Sequence, residues 1–88
     1  MLEEAWPSVL MYSMNNCVDC RRSKALLKRL GVPYEEINVD DEPSAAGEVI
    51  RLNNGRRSLP TIIIAGRVVL TEPPDRDLEA ALRQEQSA

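Results

Sequence analysis

The segment from Ser8 to Gly31 restricts the fold more than any other part of this chain: an apolar run, a polar turn, then two cysteines three positions apart opening an amphipathic stretch. Ser8-Val9-Leu10-Met11-Tyr12 has strand length, and Ser13-Met14-Asn15-Asn16 is turn-like. From Cys17 to Leu30 the apolar residues Val18, Ala25, Leu26, Leu27 and Leu30 fall largely on one helical face. Arg21, Arg22, Lys24, Lys28 and Arg29 lie elsewhere, and Gly31 stands just past the end. The pattern predicts a buried strand feeding a helix that starts at Cys17.

The rest of the chain continues the alternation. Pro33 interrupts it, and residues 34–39 read as a second strand. Asp40, Asp41 and Glu42 ahead of Pro43 form a helix-start signal, predicting a helix over about 44–52 that Asn53-Asn54-Gly55 closes. The β-branched run Thr61-Ile62-Ile63-Ile64 is the clearest strand, and Ala65-Gly66 turns it into a hairpin with residues 67–70. Pro73-Pro74-Asp75 opens a last helix with Leu78, Ala81 and Leu82 on one side. The order is βαβαββα, an α/β fold whose first half implies parallel crossovers and whose hairpin is antiparallel: a four-stranded mixed sheet flanked by helices. A length of 88 residues suits one domain, 1–88, with its core over about 8–83.

Composition narrows the function. Hydrophobic residues make up 43% and charged residues 28%, a balance of folded chains rather than disordered ones. No apolar run nears the ~20 residues of a membrane span, and the start, Met1-Leu2-Glu3-Glu4, is acidic where a signal peptide is basic, so a cytoplasmic protein without membrane contact is expected. A net charge of -3 with pI near 4.9 argues against nucleic acid as a partner. Histidine is absent, which removes His-based acid–base catalysis, Ser-His-Asp triads and every His-containing metal site. The remaining candidate chemistry is sulfur chemistry.

Only a thiolate attacks a disulfide, and a helix N-terminus favours one through free N–H groups and the positive end of the helix dipole. Cys17 occupies such a start. Cys20, one turn along on the same face, is placed to close a small disulfide and expel a mixed-disulfide partner. The expected roles are Cys17 nucleophile and Cys20 resolver, with Arg21, Arg22 and Lys24 favouring the Cys17 thiolate and Asp19 opposing them. Two other readings stay open. The pair could pack inertly, or form half of a zinc site completed by carboxylates or a second chain. No metal ligand set is expected within the chain.

A C-x-x-C after the first strand, together with a proline introducing the third, resembles the glutaredoxin-like branch of the thioredoxin superfamily over about Val9 to Leu82. The resemblance implies that Asn54-Gly55-Arg56-Arg57-Ser58-Leu59-Pro60 is the segment whose proline is cis and faces the cysteines. It also implies that Arg56 or Arg57 takes a carboxylate of a bound low-molecular-weight thiol, with Ser58, Leu59, Pro60 and Thr71 completing the thiol site. Asp19 stands where glutathione-binding members usually carry an aromatic residue, and Thr71-Glu72-Pro73 replaces their Gly-Gly step. The chain looks more like mycoredoxin-type proteins in this respect.

The resemblance thus implies a thiol–disulfide oxidoreductase with no bound cofactor, acting on disulfide-bonded or S-thiolated proteins. Its co-substrate would be glutathione, mycothiol or a similar thiol, or its reductant a thioredoxin-reductase-like flavoprotein. A monomer is expected. The alternatives are a module holding an iron–sulfur cluster between two copies, and an electron donor to a reductase such as ribonucleotide reductase, whose usual aromatic-Gly-Phe-Arg-Pro stretch is not visible here.

Overall fold

The apolar run ahead of the cysteines forms β1 (Val9–Ser13) in the computed structural model, which describes residues 5–86. Asn16, at φ 55, adopts the left-handed geometry that asparagine tolerates better than most residues and turns the chain into α1 (Val18–Leu30). Gly31 ends that helix at φ 74, donating its N–H to Lys28 O at 3.1 Å while Val32 donates to Leu27 O at 2.9 Å. Then come β2 (Glu35–Asn38), α2 (Ala46–Leu52), β3 (Thr61–Ile64), β4 (Val68–Thr71) and α3 (Asp75–Gln84). The expected element order is the observed one. One turn of 3-10 helix, Pro43–Ala45, replaces the start of the second predicted helix, whose preceding residue Glu42 supplies no side-chain cap.

The sheet order is β2-β1-β3-β4. Only the α1 crossover joins parallel strands, because β3 runs antiparallel to β1. Ala65 and Gly66 take φ of 56 and 70, and Arg67 donates its N–H to Ile64 O at 3.1 Å, the left-handed turn that matches strand twist. Registers Met11↔Ile62 and Met11↔Glu36 put Val9, Met11, Ser13, Ile62, Ile64 and Glu36 on one face. α1 covers this face, since its Lys24 reaches Glu36 at 3.0 Å, and α3 packs beside α1. Leu26, Leu27, Leu78 and Leu82 are fully buried in the resulting core. On the other face Tyr12 lies beside α2, whose Glu48 and Arg51 act on its phenol.

The apolar stripe of α1 differs from the expected one. Val18 is 67% exposed and Ala25 is exposed, while Cys20, Ser23, Leu26 and Leu27 form the inward line. The helix is rotated so that Cys20 faces inward, which carries Val18 to the solvent side. Among the described residues no helix is long and apolar enough to cross a membrane.

Glu36 sits under α1, where burial raises its pKa, but hydrogen bonds from Ser13 Oγ at 2.5 Å and Lys24 Nζ at 3.0 Å outweigh burial and hold it below the usual glutamate value. The charged form is the stabilising one. Its contribution is therefore complete above the ordinary value of 4.5 and is lost as pH falls through the lowered folded value. Glu36→Gln is expected to cost about 1 kcal/mol in urea unfolding at pH 7. The gap between variant and wild type should close as the same measurement is taken into acid.

Candidate active site

Cys17 is the N-cap of α1. Its backbone is extended, at φ -116 and ψ 105, so its side chain swings over the first turn and Sγ accepts the Cys20 N–H at 3.0 Å. Cys17 and Cys20 form a disulfide with Cα atoms 5.2 Å apart. Cys17 retains 6% exposure and Cys20 1%, so the N-terminal sulfur is the more open of the two.

The surrounding charges are not arranged as the sequence suggested. Arg22 bonds Asp19 at 3.0 Å, lies 3.7 Å from Asp75 and donates to Pro73 O at 3.4 Å, while Lys24 is engaged by Glu36. Two of the three cations expected to support the Cys17 thiolate are therefore paired elsewhere, and Asp19 is neutralised by the same contact. Arg21 is exposed and has no ion-pair partner among the described residues. The support left at Cys17 is mainly the backbone N–H of the helix start.

The register brings the expected thiol-site residues to this end of the sheet. Tyr12 pairs with Thr61 and Thr61 with Thr71, so the loop after β1, the segment before β3 and the segment after β4 share one edge. The Leu59–Pro60 peptide is cis, as the resemblance implied. Leu59 belongs to the same apolar cluster as Cys17 and Cys20, and Pro60 is buried. Among the described residues no backbone hydrogen bond engages the Leu59 N–H or C=O. Ser58 O accepts the Thr61 hydroxyl at 2.7 Å. Arg57 lies 3.9 Å from Asp40, whose other oxygen accepts the Asn15 N–H at 2.7 Å, two residues before Cys17. Arg56 is exposed and has no ion-pair partner among the described residues.

Two networks escaped the sequence reading. Asn38 Nδ2 donates to Asn15 Oδ1 at 3.0 Å and, with Asp40, clamps the loop before Cys17. Asn53, which reads from sequence as a helix stop, is a hub. Its Nδ2 donates to Val49 O at 2.8 Å and Thr61 Oγ1 at 2.9 Å, and its Oδ1 accepts the Thr71 hydroxyl at 2.5 Å. Through Thr61 it reaches Ser58 O and ties the segment before Pro60 to α2 and β4. No signal in sequence marks such a hub, because two of its three partners are 8 and 18 residues away. Among the described residues no group of three or more Cys, Asp or Glu side chains is arranged to hold a metal ion.

Residues 9–69 match the family model described as Glutaredoxin. The chain belongs to the glutaredoxin family. With its Cys17–Cys20 pair intact it is a thiol–disulfide oxidoreductase, the class read from the sequence. It is similar to the probable glutaredoxin ssr2061 of Synechocystis, 41% identical over 54 residues that span 61% of either chain. Among solved structures it resembles the methanoredoxin of Methanosarcina acetivorans, at a TM-score of 0.75 and 30% identity over 86% of this chain and 84% of that one. It also resembles the glutaredoxin-like protein NrdH-redoxin of Escherichia coli, at a TM-score of 0.69 and 30% identity over 92% and 97%. This glutaredoxin therefore carries the expected thioredoxin-like fold.

Two outcomes follow for the reduced protein. Limiting iodoacetamide should label Cys17 at least about tenfold faster than Cys20, read by peptide mass spectrometry, because only Cys17 combines exposure with the helix-start N–H. Asn53→Ala should cost about 1–3 kcal/mol in urea unfolding and speed native-state trypsin cleavage after Arg56 and Arg57, since the segment loses its ties.

Proposed function

We propose that this glutaredoxin reduces protein disulfides and low-molecular-weight mixed disulfides by a two-cysteine exchange. The observation that carries the reading is the Cys17 sulfur held at the helix start by the Cys20 N–H while bonded to Cys20 itself. Cys17 thiolate attacks one sulfur of the substrate, a mixed disulfide forms, and the other substrate sulfur leaves as a thiolate. Cys20 then gives up its proton and attacks Cys17 Sγ. The Cys17–Cys20 disulfide forms, the second substrate sulfur leaves, and the substrate has gained two electrons. Two equivalents of a thiol, or a thioredoxin-reductase-like flavoprotein, return the pair to the dithiol.

In this reading Leu59 offers its free backbone groups to an extended substrate, as an added strand would use them. Pro60 and Ser58 shape that edge and Thr71 borders it. Arg56 takes a carboxylate of the bound thiol more readily than Arg57, which Asp40 already engages. The protein acts as a monomer in the cytoplasm on disulfide or S-thiolated proteins, with glutathione, mycothiol or a similar thiol as co-substrate. A second reading, a carrier reduced by a flavoprotein, draws on the resemblance to NrdH-redoxin, whose structure is described as explaining a thioredoxin-like activity profile.

Reduction of a labelled mixed disulfide separates the readings. Activity is expected to vanish in Cys17→Ser and to persist in Cys20→Ser when a small thiol is supplied. Turnover only with thioredoxin reductase and both cysteines would favour the carrier. Absence of turnover under every reductant, with visible colour in protein purified without oxygen, would favour a cluster-binding module.

A further inference from the structure

The solvent face of α1 carries cations that the described structure does not neutralise. The helix holds Arg21, Arg22, Lys24, Lys28 and Arg29 against a single acid, Asp19, in a chain whose net charge is -3. Arg22 is shared by Asp19 and Asp75, and Lys24 is held by Glu36. The exposed Arg21, Lys28 and Arg29 have no ion-pair partner among the described residues, and Lys28 acts on Glu36 only through space. Outside α1 the one described cation without such a partner is Arg56, since Arg51, Arg57, Arg67, Arg76 and Arg83 each meet a carboxylate.

The three cations lie on one stripe. At about 100° per residue, Val18, Arg21, Ala25, Lys28 and Arg29 fall opposite the inward line of Cys20, Ser23, Leu26 and Leu27, and all of them are exposed. At about 1.5 Å per residue the charged stripe starts about 6 Å along the helix from Cys17, at Arg21, and ends about 18 Å along it, at Arg29. Helix stability does not account for it. The dipole favours Lys28 and Arg29 in the last turn but disfavours Arg21 near the N-terminus. No acid stands three or four positions from any of the three, and Lys24 stands four from Lys28, a like-charge spacing that weakens a helix.

We propose that this stripe is a docking surface for an acidic segment of the protein substrate, one whose carboxylates lie close in sequence to the disulfide that Cys17 attacks. The inference rests on the oxidoreductase reading and adds to it a class of substrate. An extended chain advances about 3.3 Å per residue, so a substrate running from Cys17 along α1 meets Arg21 about two residues from its own cysteine and Lys28 and Arg29 about five residues from it. Carboxylates at those two spacings match the stripe, and the exposed Val18 offers an apolar contact at its near end. Complementary charge of this kind acts chiefly on the rate of encounter and on partner choice. Nucleic acid is disfavoured as the occupant because the chain outside α1 is acidic, and a stripe that begins beside the redox pair points to a disulfide-bearing partner.

The test compares wild type with the double variants Lys28→Glu/Arg29→Glu and Lys28→Gln/Arg29→Gln, whose sites are remote from Cys17; the second avoids placing acids at the helix C-terminus. Two peptides carry a cysteine in mixed disulfide with 2-mercaptoethanol, one with glutamates two and five residues from that cysteine and the other with glutamines there. In single-turnover reduction by the dithiol protein at low salt, wild type should reduce the glutamate peptide about tenfold faster than the glutamine peptide. The glutamine variant should lower that preference about threefold and the glutamate variant should abolish or invert it, while rates on the glutamine peptide stay within about twofold. Added salt should shrink the wild-type preference. Fluorescence anisotropy of labelled peptides with serine for cysteine, on Cys17→Ser/Cys20→Ser protein with and without the charge reversal, reads docking without turnover. Equal rates on the two peptides, or a preference that survives both double variants, would overturn the proposal and leave the oxidoreductase reading intact. Reversal-sensitive binding of the glutamate peptide with neither peptide reduced would uphold the docking surface and overturn the oxidoreductase reading. Reversal-sensitive binding to phosphatidylserine vesicles, with none to the glutamate peptide, would overturn the proposal in favour of a membrane surface.

Discussion

One hydrogen bond organises the chemistry and much of the local architecture: the Cys20 N–H to Cys17 Sγ at the first turn of α1. A helix leaves its leading N–H groups without internal partners, and a sulfur in the capping position satisfies one of them. That role requires extended backbone at Cys17, helical backbone from Val18 onward and an inward-facing Cys20 one turn later. The C-x-x-C spacing meets all three requirements. The rotation that buries Cys20 also sets the inward line of Ser23, Leu26 and Leu27, so the redox pair and the packing of α1 on the sheet are consequences of the same choice.

Topology supplies the rest of the site. β1 is central, paired with β2 on one side and β3 on the other, so the loops at its C-terminal end meet segments from three other strands. The Asn38–Asp40 turn after β2 grips Asn15, the Ser58–Pro60 segment enters β3, and Thr71–Glu72 leaves β4. None of these segments is near Cys17 in sequence. They converge because the crossover from β1 to β2 is parallel while β3 and β4 alternate in direction, which puts one end of each strand at the same edge.

The fold was legible because each element carries its own local signal. Gly31 past α1, the β-branched run 61–64 and the Ala65-Gly66 turn depend on residues within a few positions of one another, and all three stand where the pattern put them. The cysteine pair was legible for the same reason. What escaped the reading is non-local. The Asn53 hub joins residues 49, 53, 61 and 71, and no periodicity encodes such a meeting. Charge pairing escaped for a related reason. Arg22 and Lys24 are near Cys17 along the helix, but a long flexible cation goes to the carboxylate that tertiary structure presents, here Asp19 with Asp75 and Glu36. Val18 shows the limit of reading a helical face from composition, since two inward positions of the first turn were already taken by sulfur.

The pairing of those cations divides the site's electrostatics into two parts. A guanidinium shared between two carboxylates contributes little net field around it, whereas the Cys20 N–H of the helix start lies directly against Cys17 Sγ. Backbone dipoles act at contact range and are only weakly screened by salt, which makes this contact a property of the fold rather than of its surface. Among the described residues the exposed Glu72, Arg56 and Arg21 side chains have no ion-pair partner. The contact at Cys17 Sγ is thereby built from a backbone group, which surface substitutions leave in place. The left-handed backbone of Glu72, which its N–H bond to Pro60 O helps to fix, belongs to the same convergence of segments at this end of the sheet.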